Sequence, residues 1–127
     1  MENKREYYGF RDLKVYQLAY SLAMELYRET KTFPVEEKYS LTDQIRRSSR
    51  SVPATLAEAW RKRKYKKAFV SKLIDCSSES GEVGVWLDMS MDCGYMRPER
   101  HKYFSEKYVE VDKMLHAMIE HPEKFCF

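Results

Sequence analysis

Between Phe69 and Gly94, apolar or small residues recur at alternating steps of four and three: Phe69, Leu73, Cys76, Ser80, Val83, Leu87, Ser90 and Gly94. Such steps keep one face of a helix in register over many turns, so this stretch reads as one long helix with a bundle-type seam. Its middle holds Ser80, Gly81 and Gly84, small enough for a neighbouring helix to come close. A helix of this kind cannot bury its seam alone, and the chain supplies partners. Val15, Ala19, Leu22 and Leu26, flanked by Tyr16, Ala23 and Tyr27, mark an amphipathic helix over residues 12–30, stopped at Phe33-Pro34. Ile45, Val52, Leu56 and Ala59 share one face of a second helix over 40–63, where Ser40 opens an S-x-x-D pattern that fits a capping box. The seam helix spans 65–93. Gly94 reads as the position just past its end, and Pro98 as the opening of a fourth helix over 98–120. There Phe104, Tyr108, Val111, Leu115 and Met118 repeat the pattern as far as His121-Pro122. Four glycines and four prolines in 127 residues leave few breaks for strands. The expected fold is all-α: one domain over 1–127, an antiparallel up-down four-helix bundle.

Charge is segregated along this frame. Residues 44–67, QIRRSSRSVPATLAEAWRKRKYKK, carry nine Lys and Arg against the single acid Glu58, a net of +8 in a chain whose total is +3. Residues 75–93 carry Asp75, Glu79, Glu82, Asp88 and Asp92 and no cation. At about 100° per residue, Arg47, Arg50 and Arg61 fall roughly 140–200° from Ile45, opposite the core, and Arg46 sits on the shoulder. Arg61, Lys62, Arg63, Lys64, Lys66 and Lys67 surround Tyr65 at the junction of the second and third helices. Guanidinium forks and ammonium groups on one ridge suit a polyanion, with nucleic-acid contact expected at Arg47, Arg50, Arg61, Lys62, Arg63, Lys64, Lys66 and Lys67. A solvated face is the bland alternative. Against it, only Glu58 can offer helical pairing, to Arg61 and Lys62. Arg46 and Arg47 have a structural alternative: ion pairs with Asp75, Glu79 and Glu82, which form a stripe on the third helix, within the bundle or between copies.

Pro53 interrupts the second helix. It removes the N–H that would bond the Ser49 carbonyl, which serine hydroxyls nearby could offset. A second helix opening at Pro53 is the other arrangement. The unbroken phase of Ile45, Val52 and Leu56 favours one continuous, kinked helix.

Signals for catalysis are weak. A di-iron bundle needs paired Glu-x-x-His motifs, and Pro98, Lys113 and Met118 stand three residues before His101, His116 and His121. Asp112, His116 and Glu120 share a face and read first as a surface ion-pair row. Asp75, Glu79 and Glu82 as a Mg²⁺-holding nuclease centre is the third functional reading. Cys76 lies on the seam and reads as core. No Gly-rich phosphate loop or nucleophile elbow occurs. The expectation is a protein that is not an enzyme and uses no metal or cofactor. Three scattered cysteines, a charged start (MENKREYYGF) and an uncharged stretch too short to span a bilayer point to the cytoplasm and away from membranes.

The stretch LKVYQLAYSLAMELYRETKTFPVEEKYSLTDQIRRSSRSVPATLAEAW resembles the small four-helix bundle proteins encoded in intervening sequences of bacterial 23S ribosomal RNA genes. Leu13, Val15, Gln17 and Ala19 match the first part of their pattern, with Tyr16 in place of tryptophan. Phe33, Pro34, Glu37, Tyr39, Leu41, Gln44, Arg46 and Arg47 match the second. Ser51, Pro53, Ala57 and Glu58 match the third, where Thr55 replaces asparagine and Ala59 replaces glycine. The chain is also similar to the accessory variability determinant of diversity-generating retroelements. These resemblances imply a homo-oligomeric ring, commonly a homopentamer, with RNA or an RNA/DNA hybrid as partner, weak sequence preference and a polymerase-type protein nearby. The runner-up is an interaction scaffold whose basic surface docks such an acidic partner.

Overall fold

A computed structural model describes residues 9–127; the charged start noted above, residues 1–8, lies outside the described residues. Four helices form: α1 (Lys14–Glu29), α2 (Leu41–Trp60), α3 (Lys66–Asp92) and α4 (Pro98–Glu120). Short 3₁₀ turns at Phe10–Asp12, Thr30–Thr32, Val35–Glu37 and Pro122–Lys124 complete the elements, with no strand among the described residues. No described helix is long and apolar enough to cross a membrane.

Each helix packs on the next in the chain, and α1 also meets α4, which closes the bundle. Side-chain bonds fix the directions. Arg100 near the start of α4 reaches Glu29 at the end of α1 (3.1 Å), and Lys72 early in α3 reaches Glu58 late in α2 (3.0 Å). Likewise His101 of α4 meets Asp88 near the end of α3 (2.7 Å). Consecutive helices therefore run antiparallel. The seam residues Phe69, Leu73, Cys76, Val83 and Leu87 are wholly enclosed with Leu22, Leu26, Ile45, Leu56, Phe104 and Leu115.

Pro53 lies inside a continuous α2, as the shared phase of its apolar residues indicates. Hydroxyls back-bond along this stretch, Ser49 Oγ donating to the Arg46 carbonyl (3.1 Å) and Ser51 Oγ to that of Arg47 (2.8 Å). The end of α3 matches expectation as well. Gly94 adopts φ +79°, Tyr95 N–H bonds the Ser90 carbonyl and Gly94 N–H that of Met91, the paired bonds of a Schellman closure.

Two local expectations change. The second helix stops at Trp60 rather than 63, because residues 61–65 turn to bring α3 back along α2. The Ser40 capping box is absent. Instead Ser40 Oγ donates to Glu37 Oε1 (2.6 Å), which also takes the Leu41 N–H (3.3 Å), while Tyr95 donates its hydroxyl to Glu37 Oε2 (3.0 Å). One carboxylate thus caps α2 and ties it to the α3–α4 turn. The Ser40, Tyr95 and Leu41 donors hold the Glu37 carboxyl below its ordinary range. A carboxyl depressed by folding contributes stability above its unfolded pKa and loses it as pH falls through the folded value. The wild-type melting temperature is therefore expected to drop as pH falls through and below 4.5, the ordinary Glu value. Thermal unfolding of Glu37→Gln against pH should give a lower plateau and a shallower acid limb; parallel curves would remove Glu37 from this role.

Candidate nucleic-acid interface

On α2 the residues opposite the Ile45 face are exposed, and Arg47 and Arg50 stand there one turn apart. Arg61 ends the helix, and Lys62, Lys64, Lys66 and Lys67 are exposed through the turn and the first residues of α3. Backbone bonds shape that turn: Lys62 N–H to the Ala59 carbonyl (2.9 Å) and Tyr65 N–H to that of Lys62 (2.9 Å). Among the described residues none of these seven cations makes an ion pair. Glu58, the one acid placed to neutralise Arg61 or Lys62 along α2, is taken by Lys72 of α3. Its carboxylate holds the Lys72 ammonium above the usual lysine range. Arg61 and Lys62 therefore keep no acid partner along α2, and near the start of α3 the charge of Lys66 helps lower the Glu123 carboxyl.

Arg63 behaves differently from its neighbours. Its guanidinium carbon lies over the Trp60 ring, 3.7 Å from the centroid, and 5.1 Å from the centroid of the Phe127 ring. Its Nε donates to the Trp60 carbonyl (2.9 Å), and burial lowers its pKa. An arginine packed between two rings with a carbonyl already bonded belongs to the packing of the C-terminal residues on the turn. The phosphate role expected for Arg63 is therefore revised. The spacing Trp60-x-x-Arg63 carried the signal, since three residues along a helix end bring side chains together.

Within the chain, the ion pairs expected between Arg46 or Arg47 and the α3 acids do not form among the described residues. Arg46 turns to α1, donating from Nε to Thr30 Oγ1 (2.8 Å) and from an Nη to the Tyr27 carbonyl (3.4 Å), its guanidinium 4.8 Å from the Tyr27 ring. Arg47 points outward. On α3, Asp75 lies 3.9 Å from Lys72, and Glu82 accepts a bond from Trp86 Nε1 (3.2 Å). Burial, and then the charges of Glu82 and Asp75, hold Glu79 above the ordinary carboxyl range. Among the described residues no three His, Cys, Asp or Glu side chains converge on a point where one ion could sit. The row Asp112, His116, Glu120 resolves into a His116–Glu120 contact of 3.0 Å. Cys76 is core: burial pushes its thiol up to about 12, and the thiol donates to the Val52 carbonyl (3.1 Å).

The pattern of the 23S rRNA-intervening sequence protein family matches residues 11–117. The chain belongs to this family. A crystal structure from the S23 ribosomal protein family, a Bacteroides thetaiotaomicron VPI-5482 protein of unknown function, is similar in fold. It aligns at a TM-score of 0.74 and 22% identity, over 84% of this chain and 95% of that one. No curated protein matches.

Family-like residues Phe33, Glu37 and Arg46 now have structural roles. Phe33 packs on Tyr95 with ring centroids 5.5 Å apart, Glu37 caps α2, and Arg46 joins α2 to α1. Removing Arg46 leaves a buried Thr30 and a ring face uncovered. Arg46→Ala should cost about 1–2 kcal/mol, whereas Arg47→Ala should stay within about 0.5 kcal/mol of wild type. Urea unfolding at one fixed protein concentration distinguishes the two; equal losses would contradict the division of roles between these arginines.

Proposed function

We propose that this member of the 23S rRNA-intervening sequence protein family is a non-catalytic, oligomeric nucleic-acid-binding protein that takes RNA or an RNA/DNA hybrid along a basic ridge. The observation that carries the reading is a set of seven exposed cations, Arg47, Arg50, Arg61, Lys62, Lys64, Lys66 and Lys67, with no ion pair among the described residues, on the outer side of α2 and its exit turn. Cations this close repel one another, so a polyanion that threads between them relieves the repulsion. Their contacts would go to phosphate, making binding tolerant of sequence and sensitive to salt. Tyr65, 65% exposed among the lysines, offers a face to a base.

Assembly into a ring of copies is supported by α3. Its seam faces the core, yet its opposite side carries a second apolar stripe: Ile74, Val85 and Met89 are 50%, 47% and 47% exposed, with Ser78 and Gly81 between them. A helix apolar on two sides uses the outer one for contact with another surface. The α3 acids Asp75 and Glu82 beside this stripe would repel their own copies if the face met itself, which favours head-to-tail contact between copies. A ring, five-membered by the resemblance noted above, repeats the basic ridge and builds multivalent contact from modest sites. A polymerase-type partner would meet the same assembly.

Two measurements test this reading. Val85→Asp with Met89→Asp should reduce the solution mass to that of one chain with helical content kept; an unchanged mass would exclude the stripe as a contact. Five turn cations on phosphate give a log–log salt slope near −3.5 per chain for single-stranded RNA. The triple change Lys62→Glu, Lys64→Glu, Lys66→Glu should flatten that slope and lower affinity at least tenfold. Affinity that does not fall between low and moderate salt would sink the proposal, and capture of a stoichiometric protein that survives nuclease would support a scaffold instead.

A further inference from the structure

Between α1 and α2, on the side away from α3, lies a slot of about 270 Å³ lined by Phe10, Tyr16, Tyr20, Met24, Pro53 and, at its mouth, Arg50. Its wall is aromatic. Phe10 meets Tyr16 edge-on at 5.0 Å, and Tyr16 leans on Tyr20 at 5.9 Å with ring planes 35° apart. Tyr20 and Met24 are 52% and 40% exposed although both border this apolar lining. Pro53 contributes ring carbons in place of a backbone N–H, so the α2 side of the slot is apolar too. Such a lining accepts a flat, weakly polar group and gives it faces to stack on.

The mouth selects for charge. Arg50 has its guanidinium 5.6 Å from the Tyr27 ring and makes no hydrogen bond or ion pair among the described residues, so its fork of N–H donors is open. A flat group entering the slot therefore carries an anion at its edge. A nucleotide has that shape: a base with a phosphate one sugar away. The volume is just under the 300–1,000 Å³ typical of small-molecule pockets, which fits one base rather than several.

Position decides the source of that base. Arg50 lies eleven residues before Arg61 on the same side of α2, about 16 Å along the helix axis. A strand held on the Arg61–Lys67 turn reaches this distance within a few nucleotides. We infer that the α1–α2 slot takes one unpaired base of the bound strand, with the adjoining phosphate on Arg50. This rests on the polyanion reading above and deepens it: the ligand is single-stranded where it crosses α2, because a paired base cannot leave its stack for the slot without opening the duplex.

Fluorescence anisotropy tests it with a labelled twelve-nucleotide RNA and a sugar-phosphate strand of equal length without bases, at one salt concentration. Wild type should bind the RNA about 5- to 150-fold more tightly, the range of one stacked base. Tyr20→Ala, which removes a stacking wall, and Ala54→Leu, which fills the slot from an exposed helix position, should each weaken RNA binding while leaving the base-free strand unaffected. Equal affinity of wild type for both strands overturns the slot but leaves the basic ridge standing. An RNA preference that survives both variants does the same and assigns stacking elsewhere. Binding of neither strand removes the ridge as well. If Ala54→Leu changes the solution mass of the free protein, the slot is a contact between copies and the inference fails.

Discussion

The thiol of Cys76 sits 3.1 Å from the carbonyl of Val52, and this close approach of α3 to α2 governs what the rest of the chain can do. Small buried residues, Ser48 and Ala59, flank it on the side of α2 that carries Val52, and Ser80 on α3 is small and buried as well. With α2 held by this face, its phase is fixed and Arg47 and Arg50 have no way to turn inward. Trp60, 5% exposed, closes the end of the contact, and the next five residues turn outward because α3 must start back along the same face. Pro53 fits within this constraint. It is buried within an unbroken helix, where the loss of one backbone bond is offset by packing that a second helix start would have disrupted.

From that contact follows the separation of paired and unpaired charge. Lys72 is carried by α3 to Glu58, which removes the acid of α2 nearest Arg61 and Lys62. Arg46 is carried by α2 to the end of α1, where a threonine hydroxyl, a carbonyl and a tyrosine ring receive it. Arg63 folds onto Trp60. Arg61, Lys62 and Lys64 stand among cations of the turn, and the same geometry leaves Asp75 and Glu82 on the exposed side of α3. On α3, by contrast, Asp75 and Asp88 meet Lys72 and His101, so the exposed cations of α2 and the turn are the part of the pattern open to a polyanion.

The stretch most like the family is mainly scaffolding. Glu37 ties three donors to one carboxylate, Phe33 stacks on Tyr95, and Arg46 joins two helices. These are demands of the bundle. The cations proposed to meet phosphate lie mostly beyond this stretch, at Arg61 to Lys67, where no packing constraint acts on them. A shared fold therefore does not by itself transfer a shared ligand.

Helix positions, the α3 seam, the Gly94 closure and the continuity of α2 were legible in the sequence. Each is set by backbone phase or by a single residue's conformational limits, and both are local. The sequence also placed Arg47, Arg50 and the turn cations outside the core for the same reason. Partner choice was not local. Whether Arg46 meets an α3 acid or an α1 ring, whether Glu58 serves Arg61 or Lys72, and whether Ser40 or Glu37 caps α2 depends on which helix lies alongside. Long side chains reach several angstroms in any of several rotamers, and the α3 outer stripe and the α1–α2 slot exist only once helices pack. Sequence alone determined which residues face in and which face out; tertiary structure decided which of the outward ones are already taken.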